Sequence, residues 1–118
     1  MAQLKQIPDK SLVLSKALRN ASKDLGLNME QVGKMIGKDR SVITRAEVSP
    51  DSKAGELALM FIRIYRSLSA MLGGDKELMK HWFKTENTGT RGVPKDQVMS
   101  IYGMNEVLLY LDAIRGKI

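Results

Sequence analysis

The 118-residue sequence contains no cysteine, so disulfides, thiolate metal sites and a cysteine nucleophile are all excluded. Histidine occurs once, at position 81, with no second imidazole and no acid at metal-ligand spacing. A Ser-His-Asp device would need partners that the sequence does not mark, so no catalytic residue, metal ligand or cofactor site is expected. Aromatic residues make up only 5% of the chain, and no run of alternating β-branched and aromatic residues lies between turn dipeptides. Strands are therefore not expected. No apolar run approaches the roughly 20 residues needed to cross a bilayer. The opening "MAQLKQIPDK" has no apolar stretch of a signal peptide, which makes the cytoplasm the expected location and leaves no role for a membrane.

Helical periodicity takes the place of these missing signals. Leu12, Leu14, Ala17, Leu18, Ala21 and Leu25 form one broad apolar stripe, and Gly26 is placed to stop the helix. In "LNMEQVGKMIG", Asn28 is a good N-cap and Gln31, three residues on, can complete a capping box. Met29, Val32, Met35 and Ile36 then share a face, and Gly37 ends the helix. "DRSVITRAE" starts a second short helix with Asp39 as its cap and Val42 and Ile43 turned inward. After a Pro-containing linker, a longer helix from Ala54 carries Leu57, Phe61, Ile64, Leu68 and Leu72 before Gly73 and Gly74. "DKELMKHWF" reads as a short amphipathic helix anchored by Leu78, Trp82 and Phe83. Pro94, suited to a first helical position, opens "PKDQVMSIYG". A last helix uses Met104, Val107, Leu108, Leu111 and Ile114 as one face. The expectation is an all-α chain of about seven helices. Eight methionines suggest an adaptably packed core.

Two short helices joined by a glycine turn make a helix-turn-helix pattern. The helices must approach closely where they cross, and Gly33 is the candidate for that crossing, since a mid-helix glycine costs about 1 kcal/mol against alanine and needs a packing reason. Net charge is +6, with ten Lys and Arg against six Asp and Glu in residues 1–54 but nine against seven afterwards, so the excess leans toward this motif. Lys38, Arg40, Ser41, Thr44 and Arg45 lie on or beside the second short helix with Asp39 as the lone acid among them. Arginine can bridge guanine edges bidentately, while serine, threonine and lysine mostly hold phosphates. This face is the expected DNA-binding site. The plainer alternative is a solvated basic face that binds nothing.

In "HWFKTENTGTRGVP", Glu77 sits one turn before His81 and suits an ordinary surface pair. Trp82 and Phe83 fit as a plug between C-terminal helices, with Pro94 fixing the exit of the loop.

Taken together, "LNMEQVGKMIGKDRSVITRAE", "LMFIRIYRSLSAMLGG", "HWFKTENTGTRGVP" and "VLLYLDAIRGKI" resemble the Xre/MbcA/ParS-type antitoxins from about residue 11 onward. The C-terminal landmarks are Leu72-Gly73-Gly74, Trp82, Asn87, Gly92, Pro94, Gly103, Val107, Leu111 and Gly116. The resemblance implies an Xre-like helix-turn-helix domain over residues 1–68 and a small helical toxin-binding domain over residues 69–118. It implies an antitoxin that is not an enzyme, partnered with an NAD-consuming RES-domain toxin and repressing its own operon by binding operator DNA. Gly33 stands where such motifs usually have alanine, and "GKDRS" replaces their small polar turn.

Repressors of this kind usually read two-fold operators, so a homodimer is expected, with the helix from Ala54 to Leu72 and the packed helices after it as its candidate interface. The chain's end offers a way to block the toxin. Arg115 and Lys117 follow an amphipathic helix, Gly116 frees the backbone, and a cation can occupy the anion site of an NAD pocket. Arg115, Gly116, Lys117 and Ile118 are thus the expected toxin-binding residues. Cations at a helix C-terminus also favour the helix dipole, with no partner required. A stand-alone regulator whose C-terminal helices only dimerise it is the competing reading.

Overall fold

A computed structural model describes residues 9–116, which form seven helices and no strand. They are α1 (Lys10–Leu25), α2 (Met29–Ile36), α3 (Arg40–Thr44), α4 (Lys53–Met71), α5 (Lys76–Lys84), α6 (Pro94–Gln97) and α7 (Ile101–Ile114). The long α4 is the spine. It packs against α1 and α2 on the N-terminal side and against α5 and α7 on the other, while α6 lies on α5 and α7. The result is 56 Å long and under 30 Å across.

Local sequence sets most of the helix ends. Asp9, Ser52, Asp75 and Ser100 each accept backbone N–H bonds as N-caps of α1, α4, α5 and α7. Asn28 and Gln31 form the expected capping box, with Gln31 N donating to Asn28 Oδ1 at 2.8 Å and Asn28 N to Gln31 Oε1 at 2.9 Å. Such a cap contributes about 1 kcal/mol. Asp39 precedes α3 but, against expectation, makes no side-chain cap bond.

Gly33 does mark a close crossing. A Cβ there would run into the backbone carbonyl of Lys38, and the Gly33 carbonyl itself accepts from Lys38 N at 2.8 Å. The turn after α2 folds back onto α2, and that contact sets the angle at which α3 leaves. Gly103 does the same further along. It sits in the first turn of α7, where a Cβ would strike the backbone of Gln97. The chain therefore breaks at Val98–Ser100 rather than near Met104, and Ile101, Tyr102 and Gly103 belong to the last helix.

The core is one cluster running from Leu18, Leu25 and Val32 through Ile43, Phe61, Ile64 and Leu68 to Phe83, Met104 and Leu111. Three expected members fall outside it. Leu12 is 57% exposed, Leu78 52% and Ile114 48%. Leu12 lies at the margin of its stripe, away from α4. In α5 it is Met79, next to Leu78 and turned by about 100°, that is buried. Ile114 lies in the last turn of α7 and is turned away from the core.

Candidate functional site

The five basic and hydroxyl residues expected to face DNA are brought together on one short segment. Only Ile43 of α3 is fully buried, and it fixes the helix against the core. Lys38, Arg40, Thr44 and Arg45 are exposed and Ser41 is half-buried. The Thr44 hydroxyl donates back to the carbonyls of Arg40 (3.0 Å) and Ser41 (3.1 Å), so toward a ligand it offers lone pairs rather than a proton.

Arg45 is held by a residue that the motif did not point to. Its Nε and Nη2 donate to the two carboxylate oxygens of Glu47 at 3.1 and 3.0 Å. Hydrogen bonding and charge from Glu47 raise the Arg45 pKa, and hydrogen bonding to Arg45 lowers that of Glu47. The pair forms because Ala46 between them adopts φ 56°, a left-handed turn that brings both side chains to one side. Lys38 and Arg40 make no ion pair among the described residues.

The far end of the molecule is built in the opposite manner. Asn87 and Gly92 form a single antiparallel bridge that closes the loop after α5. Asn87 Oδ1 accepts from Gly89 N (2.7 Å) and Thr90 N (3.1 Å), the Asx pattern that turns a chain sharply. Thr90 is buried with its hydroxyl on the carbonyl of Gly92, and Gln97 Nε2 donates to the Thr90 carbonyl. Trp82 stacks on Tyr110 of α7 with ring centroids 6.4 Å apart. Phe83 meets Phe61 of α4 edge-on at 6.1 Å. His81 is exposed, and its carbonyl accepts the Thr85 hydroxyl. No group of three or more His, Asp or Glu among the described residues could hold a metal ion. "HWFKTENTGTRGVP" is thus a packed corner.

The end of α7 differs from the frayed cation expected from its sequence. Arg115 Nη1 donates to Ser67 Oγ on α4 at 2.9 Å. Ser67 is buried and needs a partner, and the long arginine stem reaches back along apolar surface to supply it. Gly116 is left-handed, at φ 73°. Lys117 and Ile118 lie outside the described residues. A surface the periodicity did not reveal lies on the same helix, where Ile101, Tyr102 and Leu109 are more than half exposed on one side of α7.

Two family models match this chain. The antitoxin Xre-like helix-turn-helix domain covers residues 8–63, and the antitoxin Xre/MbcA/ParS C-terminal toxin-binding domain covers residues 67–117. The chain belongs to the Xre/MbcA/ParS-type antitoxins. No curated protein matches it significantly. In this antitoxin the first match ends and the second begins within α4, so one continuous helix serves both parts. The antitoxin's α3 belongs to the first match, and its stapled loop and α7 to the second. Among the described residues no helix is long and apolar enough to cross a membrane.

Proposed function

We propose that this antitoxin neutralises an NAD-consuming RES-domain toxin and, as a homodimer in the cytoplasm, represses its own operon by DNA binding. The observation that carries the reading is the pairing of an Xre-like helix-turn-helix with a toxin-binding domain on a single α4. It acts by binding and performs no chemistry of its own. Residues 1–68 serve as the DNA-binding part and residues 69–118 as the toxin-binding part.

On the DNA side, α3 enters the major groove with Arg40 as its base reader, while Lys38 and Ser41 hold phosphates and Thr44 joins them when its hydroxyl turns away from the Arg40 and Ser41 carbonyls. Arg45 contributes when a phosphate or base displaces Glu47. On the toxin side, the exposed Ile101, Tyr102 and Leu109 supply apolar contact area, and Arg115, Gly116, Lys117 and Ile118 reach the anion site of the NAD pocket. The same α7 face suits a second copy of the chain, which would make dimerisation its only role.

Co-expression with the product of the adjacent gene tests the reading. The antitoxin is expected to co-purify with that protein and to relieve the growth arrest and NAD loss it causes. Deleting residues 115–118 should weaken inhibition while sparing DNA binding. Ser67→Ala removes the Arg115 tether without touching the end, so inhibition is expected to survive it. A deletion variant that inhibits fully would move the toxin contact elsewhere, and absence of any toxin-like partner would favour the stand-alone regulator.

A further inference from the structure

The two flanks of α1 differ in kind. Toward α4 it lines a groove of about 700 Å³ whose walls are apolar, Val13, Leu14 and Ala17 against Leu59 and Ile62, with Lys10, Arg63, Arg66 and Arg115 at its edges. On the other flank it lines a groove of about 750 Å³ in which Lys16, Arg19, Asn20 and Lys23 stand beside Leu12, Leu27 and Met29, and which runs to Asn28 at the start of α2 and Thr44 at the end of α3. Lys16, Arg19 and Lys23 fall on successive turns, are exposed, and make no ion pair among the described residues. The one carboxylate within α1, Asp24, is held away from them by the Tyr65 hydroxyl and Lys76. Ser15, whose buried hydroxyl has no hydrogen-bond partner among the described residues, also lines this second groove.

We infer that this basic flank of α1 is a second DNA contact, a track for the sugar-phosphate backbone of the strand that leaves the recognition helix. The inference rests on the DNA-binding reading above and adds to it residues that reading does not use. Three features select duplex DNA as the occupant. The groove is continuous with α3 through Thr44, so a strand bound there passes directly along α1. It opens at the N-terminus of α2, where the first backbone N–H groups and the helix dipole favour an anion. Lys16 and Lys23 are about 10 Å apart along the helix axis, so with Arg19 between them their long side chains can reach roughly two to three successive phosphates of one strand. Glu30 in the first turn of α2 does not line the groove.

Such contacts hold position without reading sequence, which distinguishes them from Arg40. The test uses the full-length antitoxin and two labelled duplexes, one from immediately upstream of its own coding sequence and one of random sequence. Affinity is followed by anisotropy across a range of KCl concentrations. The triple variant Lys16→Gln, Arg19→Gln and Lys23→Gln is expected to weaken binding to both duplexes by the same factor. It should also flatten the slope of log affinity against log salt by about 2.7, or roughly 0.9 for each phosphate that is no longer neutralised. Arg19→Lys keeps the charge and should keep the slope. Lys10→Gln with Arg66→Gln, on the other flank, should change neither quantity. Circular dichroism establishes that each variant is folded, since all these side chains are exposed.

An unchanged slope in the triple variant, with wild-type protein binding both duplexes, overturns the α1 track and leaves the α3 reading standing. A normal slope combined with weakened toxin binding assigns the flank to an acidic protein surface and equally overturns it. Failure of the wild-type protein to bind either duplex removes both readings.

Discussion

In the helix-turn-helix half, the polar side chains of α3 lie outside and carry little of the fold. In the C-terminal half, the polar groups of Asn87, Thr90 and Gln97 are consumed in closing the loop, while Thr85, Glu86, Thr88 and Arg91 stay exposed. Arg40 and Lys38 make no ion pair among the described residues, whereas Asn87, Thr90 and Gln97 bond one another and close a loop that Trp82 and Tyr110 flank. Function and stability can therefore be separated in the first half and not in the second. On α3 a side chain can be removed and only binding should change. In the stapled corner a removed side chain takes the scaffold with it.

The largest effect expected from breaking this contrast is that of Phe83→Ala. The ring is fully buried against Phe61, and its removal should cost about 3–5 kcal/mol, a large part of a domain's usual stability. Because α4 serves both halves, thermal unfolding followed by Trp82 fluorescence and by circular dichroism should shift together. Two separate transitions would show that the halves unfold independently.

Gly33→Ala and Gly103→Ala are each expected to destabilise by about 1–3 kcal/mol, seen as a lowered melting temperature. Alanine favours a helix interior over glycine by about 1 kcal/mol, so a stabilised variant at either position would mean that the crossing yields more easily than its geometry indicates.

Arg40→Ala sharpens the other side of the comparison. Operator affinity should fall about tenfold or more, as expected when a bidentate base interaction is removed, with the melting temperature unchanged. Arg45→Ala should fall short of that because Glu47 already engages the guanidinium. Glu47→Gln should strengthen binding to any duplex, and a mobility shift measures all three.

The smallest effect concerns the tie between α1 and α4. Tyr65 donates to Asp24, and this bond, followed by burial and the charge of Asp24, pushes the Tyr65 pKa up to about 12 from its ordinary 10. A raised folded pKa means the contribution is full below pH 10 and is lost as pH climbs through about 12. The melting temperature of Tyr65→Phe should therefore fall less steeply than wild type in that window and lie slightly below it at neutral pH. Parallel curves would show that the bond adds nothing to stability.

Features that depend on neighbours three or four residues apart could be read along the chain. The Asn28–Gln31 box, the stops at Gly26 and Gly37, Pro94 at a helix start and the need for a small residue at position 33 all follow from backbone groups that close neighbours must satisfy or clear. Seven helices and the face of α3 were legible for that reason, and the family's C-terminal landmarks identified the second half. Only the tertiary structure decided which part of each apolar stripe is covered. Spacing places Leu12, Leu78 and Ile114 near buried neighbours, but no other element covers them fully and each stays about half exposed. It decided that Gln97 approaches Gly103 and shifts the last helix boundary, that Arg115 turns back to Ser67, and that Glu47 engages Arg45 through the left-handed turn at Ala46. It also decided that Lys16, Arg19 and Lys23 share a groove with Thr44. These are meetings between separate elements or around an irregular turn, and periodicity along one helix holds no information about what packs beside it.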